Sequence, residues 1–209
     1  MDGVLVDNRD IHVEAFRMLA ERYGVPFDGS DLEWMYGRGN DTIIPALFPP
    51  QLVEREGLKK LGAEKEAVYR DIYSDHIRPA HGLVTFLHEL HRHHIPCAVG
   101  SSAPKVNVDY VLEKCGLEDD FTVVVTGDMV KLRKPDPAIF ELAAELLGVV
   151  QHECLVFEDS AAGIQAAKAA GMPVIAMSTT LPKHKIAEVH DGMVIPDFTH
   201  VDYRKVKEL

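Results

Sequence analysis

From residue 79 onward the chain alternates in a way that leaves few folds open. LVTFLHELHRHH carries apolar residues at helical spacing, IPCAVGSS is a short apolar run, and KVNVDYVLEKCGL is helical again. DFTVVVTGD, ECLVFED and PVIAMS repeat the apolar run, while PAIFELAAELLGV and SAAGIQAAKAAGM repeat the helix. Short strands separated by amphipathic helices give a parallel sheet with helices on both faces. The runs are almost continuously apolar, as strands covered on both sides are.

The first third of the chain reads differently. IHVEAFRMLAERYGV places Ile11, Ala15, Phe16, Leu19 and Tyr23 at helical spacing, with Gly24 as a stop. GRGN reads as a turn, and TIIPALF and EREGLKKLGAEKEAVYRDIYSDHI continue in helical pattern. The expected fold is α/β: a Rossmann-like, three-layer parallel-sheet core from residues 1–9 and 79–209. Residues 10–78 are expected to form an inserted all-helical cap of four-helix type.

The 209 residues are 46% hydrophobic and 26% charged, enough for one core domain and a small insert. A net charge of −11 repels nucleic acid and anionic lipid, but not a small anion held beside a divalent cation. Cys97, Cys115 and Cys154 are odd in number and far apart, which reads as free, buried thiols in a reducing cytosol. No cysteine–histidine spacing suits zinc, and no signal peptide or membrane-spanning run is present. The expectation is a cytoplasmic monomer.

In doubly wound sheets, ligands bind at the carboxyl ends of the strands. MDGVLVD reads as a strand end flanked by Asp2 and Asp7, or as a solvated terminus. VGSSAP offers the Ser101 and Ser102 hydroxyls and free N–H groups to an anion, or simply caps the next helix. KLRKPDPAIF holds Lys134 on a stiff, proline-bounded turn, where it offers a point charge to a phosphate or lies in a solvated basic loop. LVFEDSAAGIQAAKAAGM sets Glu158 and Asp159 side by side after an apolar strand. Two crowded carboxylates need a cation or a proton between them, and hard oxygen donors suit Mg²⁺. His88 and His91 also stand at helical spacing and read as a solvated helix end.

MDGVLVDN, GSSAP, KPDPAIF and FEDSAAGIQAAKAAGM, in this order and spanning the chain, resemble the haloacid dehalogenase superfamily of phosphohydrolases. The closest likeness is to its small-cap subgroup, which includes β-phosphoglucomutase and many sugar-phosphate phosphatases. The superfamily's first motif is Asp-x-Asp-Gly, whose first aspartate is the nucleophile and whose second is the general acid/base. Met1 occupies the x position and Asp2 matches the second aspartate. The nucleophile would stand one residue before Met1. Either the polypeptide extends upstream, as the intact remaining motifs favour, or translation begins at Met1 and the product lacks its nucleophile.

The resemblance implies phosphoryl transfer through an aspartyl-phosphate, with Asp2 as acid and base, Ser101 and neighbouring N–H groups on the phosphoryl oxygens, and Lys134 offsetting charge. It implies Mg²⁺ held by the nucleophile's carboxylate, by Asp2 through its backbone carbonyl, by Asp159, and by Glu158 directly or at one remove. His12 matches a histidine of the segment entering the cap, where it contacts substrate or relays cap closure to Asp2. Asn40 stands where the mutases carry a phosphate-gripping arginine, and Arg38 lies two positions earlier, so both are expected cap contacts. Three functions stay open: a Mg²⁺-dependent phosphatase of a small phosphorylated metabolite, a phosphomutase, and a non-catalytic protein binding a phosphoester or a partner. A dehalogenase is disfavoured, because those enzymes work without metal and the acidic pair suits one.

Overall fold

The computed structural model describes residues 1–29 and 32–206. The segment entering the cap becomes helix α1 (Arg9–Arg22), which ends where Gly24 takes a left-handed φ of 64°. Helices α2 (Asn40–Leu47), α3 (Pro50–Glu56) and α4 (Leu58–Tyr73) follow; Gly57, at φ 84°, breaks the charged helical stretch into its two parts. These helices bury a cluster of their own, with Phe16, Leu19, Ile44, Phe48 and Leu61 at its centre.

The α/β part runs α5 (Leu83–Arg92), β1 (Ala98–Ser101), α6 (Lys105–Cys115), β2 (Val123–Thr126), α7 (Ala138–Leu147), β3 (Val156–Glu158) and α8 (Ala161–Ala169). It closes with β4 (Val174–Met177), α9 (Lys183–Ile186), β5 (Val194–Ile195) and α10 (Tyr203–Val206). Every strand pairing is parallel. Alternate residues face opposite sides. Val99 and Phe157 pack in the cluster of α5 and α6, while Ala98, Val125 and Val156 pack with α7 and α8. Three layers result.

Three expectations are corrected in detail. The parallel strands form two groups, β1–β2 and β3–β4–β5, rather than one continuous sheet. No ladder joins β1 to β3 among the described residues. Correspondingly Ala98, Gly100 and Phe157 remain only half-buried. The expected strand end at Val4–Val6 is instead a turn, in which the Val4 and Leu5 N–H groups donate to the Met1 carbonyl at 3.1 and 2.7 Å. An isolated bridge between Asp2 and Val6 is the only ladder contact of this segment among the described residues. The three cysteines are free, but half-buried rather than buried. No helix among the described residues is long and apolar enough to cross a membrane.

Candidate active site

The carboxyl ends of β1 and β3 border a cavity of about 110 Å³, whose cap-side wall includes Phe16, Met35 and Ile43. Ser101 ends β1, Glu158 ends β3 with Asp159 next, and Lys134 lies in the loop between β2 and α7. These four line the cavity together with Asp2 from the N-terminal turn. The topology thus joins segments that are 24 to 157 residues apart in pairs such as Lys134–Glu158 and Asp2–Asp159.

Lys134 is buried, and its ammonium donates to Glu158 Oε1. It also lies 3.4 Å from the Gly100 carbonyl and 4.5 Å from the centre of the Phe140 ring. Lys134 therefore ties the end of β1 to the end of β3 across the unpaired edges. The other Glu158 oxygen accepts from Asp159 N, Ser160 N and Ser160 Oγ at 2.9, 3.0 and 3.0 Å. Burial pushes the Glu158 carboxyl up, but Lys134 outweighs it and brings it down to about 2. A Cβ on Gly163 would fall on this carboxyl, so only glycine lets the first turn of α8 close over it. Both Glu158 oxygens are engaged by protein groups. In this arrangement Glu158 anchors Lys134, and no group of three His, Cys, Asp or Glu residues stands ready to hold a metal ion among the described residues.

Asp159 is different. It is buried, and Lys134 is paired with Glu158 rather than with it. Burial and the adjacent Glu158 charge push its carboxyl up to about 7, while a Thr180 hydrogen bond works the other way. A buried carboxylate in that position takes a proton or a cation. Its hard oxygens, beside the main chain of Asp2 and Gly3, fit Mg²⁺.

Asp2 leads into a partly buried polar chain that reaches the cap. Its Oδ1 accepts from Asn8 Nδ2 at 2.5 Å and lies 3.4 Å from His12 Nε2. Asn8 Nδ2 also reaches the Tyr69 hydroxyl at 2.7 Å, which explains why Asn8 precedes α1 without capping it. Lys65 Nζ stands 2.8 Å from His12 Nδ1 and donates to Glu66 Oε1 at 3.0 Å. An ammonium only donates, so His12 Nδ1 accepts and its Nε2 carries the proton directed at Asp2. Burial pushes the Asp2 carboxyl up, but the His12 ring and the Asn8 amide outweigh it and hold Asp2 well below the usual carboxylate range.

Lys65, Glu66, Asn8 and Tyr69 were not legible as site residues. One signal was available: Leu61, Lys65, Tyr69 and Tyr73 repeat every four residues, so a lysine occupies the buried stripe of α4. A buried charge in such a stripe must be paired. Tyr69→Phe, which removes the acceptor of the Asn8 amide, is expected to lower unfolding free energy by about 1 kcal/mol in a urea titration.

The remaining predicted contacts divide. Ser101 Oγ accepts from Ala103 N at 3.2 Å at the cavity floor. Ser102 Oγ donates to the Gly37 carbonyl at 3.1 Å, so it fastens the cap loop to the core. Asn40 Nδ2 donates to Glu66 Oε1 at 2.6 Å and is committed to that buried carboxylate. Arg38 is exposed at the cavity rim.

Comparisons with known proteins give the family and the fold. The family signature of haloacid dehalogenase-like hydrolases matches residues 1–177. A phosphorylated carbohydrates phosphatase of Thermotoga maritima is 33% identical over 172 residues, covering 82% of this chain and 79% of that protein. A fructose-1-phosphate phosphatase of Escherichia coli is 33% identical over 175 residues, covering 84% of this chain and 92% of its own length. The crystal structure of a haloacid dehalogenase-family hydrolase from Entamoeba histolytica superposes with a TM-score of 0.87 at 24% identity, covering 100% of this chain and 95% of that one. The chain belongs to the haloacid dehalogenase-like hydrolases.

Proposed function

We propose that this protein is a Mg²⁺-dependent phosphatase of a small phosphorylated metabolite, with sugar phosphates as the first class to test. One observation carries the reading: Ser101, the buried Lys134 and the cation-seeking Asp159 converge on one cavity beside Asp2. Similarity to a carbohydrate-phosphate phosphatase and a fructose-1-phosphate phosphatase supports the substrate class.

The phosphoryl group is placed between Ser101 and Lys134, where a hydroxyl, free N–H groups and an ammonium meet its oxygens. Glu158 holds the Lys134 ammonium in place. Mg²⁺, held by the Asp159 carboxylate and the Asp2 main-chain carbonyl, would screen the negative charge of the phosphoester against an approaching anion. Asp2 is kept ionised by His12 and Asn8, which leaves it in the base form but lowers its basicity, so taking a proton from water requires that it first loosen from His12. Its use as an acid requires that it leave His12 and take up a proton.

The assay is phosphate release from a panel of hexose phosphates, run on a form that carries an aspartate directly before Met1. Inorganic phosphate as product supports the phosphatase. A phosphosugar isomer without phosphate release would establish the mutase instead, and binding with neither product would leave the non-catalytic reading.

The cation assignment also has a pH signature. Asp159 keeps its proton to about pH 7 in the folded state, whereas an unfolded aspartate loses it near the ordinary value of 3.8. Between those values the folded state binds the extra proton, so this group's contribution to stability falls as pH rises through that window. Glu158 acts in the opposite sense, its contribution being lost as pH falls from 4.5 toward about 2. Mg²⁺ competes with the Asp159 proton. Added MgCl₂ is therefore expected to raise the thermal midpoint clearly at pH 8 and little at pH 5.5. An equal rise at both values would remove Asp159 from the cation site.

A further inference from the structure

Two adjacent hydroxyls after β4 have no part in the chemistry above. Thr179 Oγ1 donates to the Gly3 carbonyl at 2.5 Å. Thr180 is buried and lines the cavity, and its hydroxyl and the Asp159 carboxyl both crowd the space that a Cβ on Gly3 would take. The two side chains therefore reach the N-terminal turn and the end of β3 from a single loop.

That loop is fixed on both sides. Ser178 N donates to the Ile195 carbonyl at 2.9 Å, which keeps the residue before the pair in register with the sheet. Leu181, directly after it, is buried with Ile164, Ala176 and Ile186. Gly3 makes the close approach feasible. It has a φ of 67°, and a Cβ there would fall on the Asp159 carboxyl and stand 2.7 Å from Thr180 Oγ1. Branching at Cβ limits threonine χ1, so each hydroxyl is held in direction.

We propose that Thr179 and Thr180 are positioning residues that assemble the cation site. Thr179 fixes the Gly3–Val4 peptide, one residue beyond the Asp2 carbonyl, through the Gly3 carbonyl. Thr180 stands against the Asp159 carboxyl beside Gly3 and so helps to hold it in place. The inference rests on the cation reading given above. It adds that two hydroxyls, and not packing alone, bring the Asp2 loop and Asp159 into register.

The test is calorimetric titration of MgCl₂ into the full chain at pH 8, with the metal-free thermal midpoint recorded for each variant. Thr180→Val keeps the branched shape and removes the hydroxyl, and is expected to weaken Mg²⁺ binding about 10- to 100-fold, the range found when partners that orient a metal ligand are lost. Thr180→Ser restores the hydroxyl and is expected to bind within about threefold of the parent. Thr179→Val is expected to weaken binding as well, through the Gly3 carbonyl. If Thr180→Val does not fold, Thr180→Ala carries the same expectation. Parent-like Mg²⁺ affinity in the folded variants lacking the Thr180 hydroxyl would overturn the inference while leaving the cation site standing. An absence of Mg²⁺ binding by the parent chain would overturn the cation reading, and this inference with it.

Discussion

A preparation whose mass begins at Met1 is expected to release no phosphate from p-nitrophenyl phosphate above the buffer rate. Each carboxylate of the cavity is already committed. Asp2 is held by Asn8 and His12, and Glu158 by Lys134 and the start of α8. Glu66 is held by Lys65, Asn40 and Asn107, and Asp159 is the carboxylate that the proposed function assigns to a cation. None is left to attack phosphorus, and losing the nucleophile of a covalent mechanism costs on the order of 10⁴-fold or more. β1 and β3 present unpaired edges of the same direction beside the cavity. An extension reading as a short apolar strand that ends in aspartate directly before Met1 is expected to turn over p-nitrophenyl phosphate with Mg²⁺. The same extension ending in asparagine is expected to fold equally well and remain inactive. Robust Mg²⁺-dependent turnover by the protein starting at Met1 would refute this account of the mechanism.

Lys134→Ala is expected to cost about 3–5 kcal/mol of stability, because it leaves the buried Glu158 without its counter-charge. For a chain of this size that is a fall of roughly 6–20 °C in thermal midpoint. Hydrogen bonds from Asp159 N, Ser160 N and Ser160 Oγ remain on one Glu158 oxygen, which places the loss below that of a bare buried charge. The companion variant separates the two charges. Lys134→Ala combined with Glu158→Gln no longer buries an uncompensated carboxylate, so the double variant is expected to be more stable than Lys134→Ala alone. Urea denaturation of the four proteins gives the coupling energy directly. A loss under about 1 kcal/mol in the single variant would show that Lys134 and Glu158 do not depend on one another in the folded protein.

The order of elements was legible because strand and helix periods differ and because each β-α transition carries turn residues. The helices of the cap, Gly24 as a stop, and the strand ends bearing Ser101, Glu158 and Asp159 all follow from pattern. The turn at Met1–Val6 did not, since an apolar triplet after glycine reads as a strand until its hydrogen-bond partners are known. β5, two residues long, is below the length at which alternation can be seen. Within the site, the residues that carry unusual chemistry in short motifs were legible. The ones that arrange them were not. Thr180 is indistinguishable from a loop threonine, and Glu158 reads as a cation ligand until Lys134 is seen on it. Ser102 and Asn40 were expected to touch substrate. Their side chains face Gly37 and Glu66 instead, contacts set by how the cap seats on the core.

Crystals grown with MnCl₂ and inorganic phosphate give the shortest route to the main claim, through the anomalous signal of the metal. The predicted result is a manganese peak bounded by the Asp159 carboxylate and the Asp2 main-chain carbonyl, with phosphate lying between it and the side chains of Ser101 and Lys134. Manganese bound away from Asp159, or phosphate bound outside the cavity that Ser101 and Lys134 share, would contradict it.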